Sequence, residues 1–184
     1  VMAFYIFSLY LAKRKEKIQN DEYLNLTREL IKIPDLLDQM INQCESLMKD
    51  RAKEYAKSEN AFFIGRHSDY TLAMEGALKL KEISYIHAEA YPAGELKHGT
   101  LALIEEEVPV VALGTVESVF EKTLSNITEV KARGADVTAI VHKDAKDIED
   151  VLDHIIYIPD VNELFTGALT IVPLQLLAYY TALI

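Results

Sequence analysis

A single cysteine, Cys44, is all the thiol that this 184-residue chain carries. That excludes an intrachain disulfide and any zinc cage built from cysteines, and it suits a reducing compartment such as the cytoplasm. Basic charge is scarce as well: 19 Lys and Arg stand against 29 Asp and Glu, a net charge of −10. A chain this acidic lacks the basic surface that a non-specific grip on nucleic acid requires, although a local basic pocket for an anionic metabolite stays possible. Neither Gly-x-Gly-x-x-Gly nor Gly-x-x-x-x-Gly-Lys-Ser/Thr occurs, so neither a dinucleotide nor a P-loop nucleotide reading has support. His67, His87, His142 and His154 show no metal-like spacing and read as structural or surface residues. No cofactor and no metal site is expected.

What is present suits a soluble globular fold: 50% of residues are apolar and 26% charged. Two apolar runs have to be weighed as membrane candidates. The first, 1–12 (VMAFYIFSLYLA), is too short to span a bilayer and carries its charge behind it rather than in front. The second, 166–184 (TGALTIVPLQLLAYYTALI), is 19 residues without a charge, but Pro173 interrupts it and no basic flank follows. It reads as a buried helix packed on a sheet, with no membrane involved. Because apolar helices open and close the chain, an excised domain of a longer polypeptide is expected.

The order of elements sets the fold class. Residues 1–16 and 22–33 read as helices, with Pro34 closing the second. Over 35–57, Leu36, Leu37, Met40, Ile41, Cys44, Leu47 and Met48 recur at intervals of three and four, an amphipathic helix with Cys44 in its core stripe. Short apolar strands are expected at 61–64 (AFFI), 88–91, 108–113 (VPVVAL), 136–141 and 155–158. Helices are expected at 68–86, 116–132, 145–150 and from about Gly167. Strands alternating with helices require crossover connections, hence a parallel sheet with helices on both faces. Such sheets bind ligands at the carboxyl ends of their strands, so the loop after Gly65 and the loop around 92–100 carry the interest.

The helix between those loops holds Glu75-Gly-Ala-Leu-Lys-Leu-Lys-Glu82. At about 100° per residue, Glu75, Lys79 and Glu82 share a sector of roughly 60°, while Lys81 points elsewhere. Apolar neighbours push a carboxylate pKa up and a nearby ammonium pulls it down, a compromise that suits a base taking a proton from carbon. Lys79 could stabilise charge on an adjacent oxygen. A plain surface ion pair would show the same spacing. Next, 90–99 (AYPAGELKHG) bends sharply at Pro92, Gly94 and Gly99 and carries Lys97 and His98; a histidine there could shuttle protons between sugar oxygens.

Residues 73–104, AMEGALKLKEISYIHAEAYPAGELKHGTLALI, resemble the isomerase half of the glutamine–fructose-6-phosphate aminotransferase family, and 171–184 (IVPLQLLAYYTALI) look like the end of the same module. The resemblance implies a sugar-isomerase (SIS) module: a three-layer αβα sandwich on a five-stranded parallel flavodoxin-like sheet, here 58–184, after a helical lead-in, 1–57. It implies the second of two such modules in a parent that also carries a glutamine-hydrolysing domain. The activity implied is conversion of fructose 6-phosphate and ammonia to glucosamine 6-phosphate, in a cytoplasmic homodimer with shared sites. By motif, Glu82 would be the base between C1 and C2, Lys79 its aid, and His98 the ring-opening group reaching into the partner subunit. Glu75, Lys97 and Ser68 would be substrate-binding, with Glu75 positioning Lys79. The family's imine-forming lysine would follow Ile184, and its Ser/Thr-rich phosphate loop belongs mainly to the first module. The matching loop, 65–71, offers only Ser68, Thr71 and the cation Arg66. The chain alone is therefore expected to be inactive. A stand-alone phosphosugar isomerase or deaminase, and a non-catalytic phosphosugar sensor, are the rival readings.

Overall fold

The structure, a computed structural model, describes residues 2–152 and 154–184. Val1, the first position of the expected 1–16 helix, lies outside the described residues. Helices α1 (Met2–Arg14) and α2 (Asn20–Tyr55) precede strand β1 (Asn60–Gly65), α3 (Ser68–Ser84) and β2 (His87–Pro92). Two 3₁₀ turns, Ala93–His98 and Thr100–Leu103, lead to β3 (Pro109–Gly114), α4 (Phe120–Lys131), β4 (Asp136–His142), β5 (His154–Ile158) and α5 (Thr166–Ala182).

The five strands form one parallel sheet in the order β2-β1-β3-β4-β5. Its inner strands β1, β3 and β4 are short, largely apolar runs because both their faces are covered, while the edge strand β2 (HAEAYP) stays partly exposed. Side chains alternate between the faces: Phe63, Val111, Leu113, Ile140 and Ile156 point to one, where α2, α3 and α5 pack. Phe62, Ile64, Val110, Ala112, Val137 and Ala139 point to the other, covered by Phe120, Ile127 and Val130 of α4 and by Ala93 and Leu96 of the first 3₁₀ turn. The expected three-layer sandwich is therefore what the chain forms. The strand order reverses between β1 and β3, and the loops after Gly65 and Gly114 meet at that switch point.

Helix α5 is apolar on every side because it lies between neighbours. Leu169, Leu174 and Leu177 are almost fully buried, and α5 packs against both α2 and α3. By length and composition Glu163–Ala182 could cross a membrane, yet packing inside the protein accounts for that composition.

Four expectations need correction. Pro34 does not close a helix; α2 runs unbroken from Asn20 to Tyr55 with Pro34 inside it. Pro34 itself is exposed, and the burial of Leu26, Leu30 and Ile33 holds the helix together through the lost Leu30 hydrogen bond. Pro173 likewise does not interrupt α5. Residues 145–150 form turns rather than a helix, too short to offer a continuous apolar stripe; only Ile148 is buried there. The helix expected at 116–132 starts at Phe120, after a 3₁₀ turn at Glu117–Val119.

Helix α2 is fastened to the sheet by a buried cation. Arg51, 5% exposed, pairs with Asp136 at the start of β4 and donates from Nε to Thr138 Oγ1 at 3.1 Å. Replacing Arg51 by Met leaves Asp136 short of its partner. Urea denaturation should show a loss of about 3 kcal/mol, low in the range for a buried pair because Asp136 keeps some water. An unchanged midpoint would show that α2 is held by apolar contact alone. Cys44 is 1% exposed and burial pushes its thiol up to about 11. It should not react with a thiol reagent at neutral pH until the chain is unfolded.

Candidate functional site

Helix α3 begins at the strands' carboxyl ends and runs back along the sheet. Ser68 is its first residue and lines the crevice at the switch point with Thr71, Thr115, Glu163 and Thr166, a cleft of about 290 Å³. Glu75, Lys79 and Glu82 come later. At about 1.5 Å per residue Glu82 sits roughly 21 Å beyond Ser68, toward the amino ends of the strands. The acidic row is thus not beside the carboxyl-end crevice, as the helix's position after β1 suggested. Only the first turn of a crossover helix reaches that end of a parallel sheet.

The row itself is assembled as its spacing requires. Lys79 Nζ lies 2.7 Å from Glu82 Oε2 and 3.7 Å from Glu75 Oε1. The side chains are 33% exposed for Lys79, 43% for Glu75 and 48% for Glu82. They form an outward-facing charged flank, with exposed Met74, Leu78 and Ile83 on the same helix. The hydrogen bond to Glu82, followed by the charges of both carboxylates, raises the Lys79 pKa. Lys79 therefore stays an ammonium at neutral pH: it can hold negative charge but cannot attack a carbonyl. Glu75 also lines a groove between α3 and the edge strand β2, where Lys81 meets Glu89 at 3.1 Å. Lys81 points away from Lys79, as expected, but toward this groove rather than toward bulk water.

His98 belongs to a different layer. Ala93 and Leu96, both fully buried, anchor its 3₁₀ turn on the α4 face, while the buried residues of α3, Ala73, Ala77 and Leu80, sit on the other face. The sheet stands between His98 and Glu82. The His98 side chain is 76% exposed, with Nε2 3.6 Å from Glu95 Oε2. Lys97 is committed to Glu129 of α4 at 2.8 Å.

Arg66 is not available to a crevice ligand. Its Nε and Nη2 donate to Asn126 Oδ1 at 3.0 and 2.9 Å, and its guanidinium lies beneath Gly94. A Cβ at residue 94 would meet Nη1 at 3.0 Å and Nη2 at 3.1 Å, so glycine is what lets the loop rest on this cation. The His98 turn is therefore pinned from below by Ala93 and Leu96, from the side by Lys97–Glu129, and by Arg66 under Gly94.

One buried group at the switch point had no sequence signal beyond an acidic residue in a helix's first turn. Asp69 is fully buried. Its Oδ2 accepts from Thr115 N at 2.7 Å and Val116 N at 3.2 Å, and Thr115 Oγ1 donates to its Oδ1 at 2.5 Å. Burial raises its pKa, against the pull of those hydrogen bonds.

A family model described as the SIS domain matches residues 54–184. The chain is 50% identical over 182 residues to a glutamine–fructose-6-phosphate aminotransferase [isomerizing] of Caldanaerobacter subterraneus, covering 99% of this chain and 30% of that protein. It is 45% identical over 182 residues to the protein of the same name from Clostridium acetobutylicum, again covering 99% and 30%. The solved C-terminal domain of glucosamine-fructose-6-phosphate aminotransferase from Francisella tularensis superposes with a TM-score of 0.88 at 39% identity, covering 97% of this chain and 50% of that one. The chain thus spans about a third of the length of the curated relatives it matches.

Gly94→Ala tests the pinned loop. The new methyl group would push against Arg66, and amide hydrogen exchange over 93–103 should speed up about tenfold, the equivalent of ~1.4 kcal/mol of local opening. Unchanged exchange would mean that Arg66 does not support the turn.

Proposed function

Starting from the fact that this chain belongs to the SIS domain family, we propose that it is the second sugar-isomerase module of a glutamine–fructose-6-phosphate aminotransferase. On this reading 1–57 is the helical lead-in and 58–184 the module. The parent protein, a cytoplasmic homodimer, also carries a first module and a glutaminase domain. Its reaction joins fructose 6-phosphate and ammonia, released from glutamine, into glucosamine 6-phosphate, with loss of water.

The observation that carries the proposal is the assembled row Glu75–Lys79–Glu82 on an open flank of α3. Once the ring is open and ammonia has replaced the C2 oxygen as an imine, either directly with loss of water or by displacing a lysine from its imine, the remaining task is a proton shift. Glu82 takes the proton from C1 and returns it to C2. Its Oε2 is held by Lys79, which leaves Oε1 to take the proton. Lys79 balances charge on neighbouring substrate oxygens, and Glu75 positions Lys79. His98 opens the ring, and Lys97 is a candidate contact to the sugar phosphate.

The layers support shared sites. Glu82 and His98 of one chain are on opposite faces of the sheet, so a substrate touching both must bring two chains together. Glu82 is also too exposed to work alone, since a base taking a proton from carbon needs water kept away. A wall from another module would supply that exclusion.

In the full-length protein, Glu82→Gln should keep fructose 6-phosphate binding while turnover falls by at least about a hundredfold. Turnover at the wild-type rate would remove Glu82 from the mechanism. Mixed dimers of a Glu82 variant and a His98 variant should recover about a quarter to a half of wild-type activity, because one intact site is rebuilt from two chains. No recovery would place each site within one chain.

A further inference from the structure

The switch point of an open parallel sheet is where such folds ordinarily hold an anionic group, on backbone N–H donors and the hydroxyls beside them. This chain has the donors: the N–H groups of Thr115 and Val116 and the Thr115 hydroxyl, beside a cleft to which Ser68 and Thr71 add their own. All three donors of the β3 loop are already engaged by one carboxylate, that of Asp69. We infer that Asp69 is a specificity-determining residue: an internal carboxylate that fills this module's own anion cradle, so that the phosphate of the sugar is held elsewhere.

Local geometry keeps the carboxylate in place. Residue 65 is glycine where β1 meets the first turn of α3; a Cβ there would lie 2.6 Å from the backbone carbonyl carbon of Asp69. That close approach sets the first turn against the end of β1 and directs residue 69 to the neighbouring strand end, Thr115. The surroundings point the same way. Glu163 lines the cleft, and Glu117, Asp144 and Asp160 line the adjoining one. Of the cations nearby, Arg66 is engaged with Asn126, and Lys143, which also lines the adjoining cleft, pairs there with Asp160 at 2.7 Å. An arriving phosphate would find its donors taken and carboxylates around them. Ser68 is left beside a filled cradle, which takes it out of phosphate binding.

The inference rests on the phosphosugar reading above, but its test needs no turnover. The 184-residue chain, labelled with ¹⁵N, is titrated with inorganic phosphate into the millimolar range at neutral pH while the Thr115 and Val116 amides are followed. The wild-type chain should show no saturable shift. Asp69→Ser, which frees the donors and removes the charge, should show a saturable one, with half-saturation at least about tenfold below any wild-type response. Saturable binding to these amides in the wild type would overturn the inference. So would a folded Asp69→Ser chain whose amides ignore phosphate. Should that variant fail to fold, Asp69→Ala, which also empties the cradle and removes the charge, is read by the same two outcomes. A wild-type cradle that binds phosphate would leave the Glu82 and mixed-dimer experiments untouched, whereas their failure would leave the cradle result standing.

Discussion

A parallel sheet buried on both faces keeps Glu82 and His98 of one chain apart. Because every strand must be covered on two sides, the crossover after β1 lies on one face, while the segment after β2 packs on the other through Ala93 and Leu96. Neither position can shift without exposing the apolar strands. The two parts of the most family-specific stretch, 73–104, are therefore adjacent in sequence and separated by a layer in space. If Glu82 and His98 serve one reaction as proposed, such a chain offers two half-sites facing in different directions rather than one pocket.

The same constraint explains why the acidic row is open. The crossover helix α3 must run antiparallel to the strands, so only its first turn approaches the crevice. What the row lacks, a second wall and exclusion of water, has to come from outside the module. In the crevice, the donors of the loop after β3 have been taken by Asp69. On the proposed reading these features divide labour between parts: proton transfer on an outer flank, anion binding elsewhere.

Much of this was legible in the sequence, for physical reasons. AFFI and VPVVAL are apolar because both faces of β1 and β3 are buried, and the three-four spacing of Glu75, Lys79 and Glu82 fixes their alignment whatever the tertiary context. The failures were of another kind. Pro34 reads as a stop only if its side of the helix cannot be hydrated, and exposure is a tertiary fact. The distance of Glu82 from the crevice depends on helix direction, which motif position alone does not give. Arg66 reads as a free cation beside the crevice until Asn126, 60 residues away, claims it. Asp69 engages Thr115 across 46 residues, a pairing no local pattern records.

The most direct test of the account is a crystal structure of the full-length dimer with fructose 6-phosphate bound. The account predicts that the sugar carbons lie against Glu82 of one chain, that His98 of the partner subunit reaches the same ligand, and that the phosphate lies away from Thr115. A ligand seated in this module's own strand-end crevice, or one touched by Glu82 and His98 of a single chain, would contradict it.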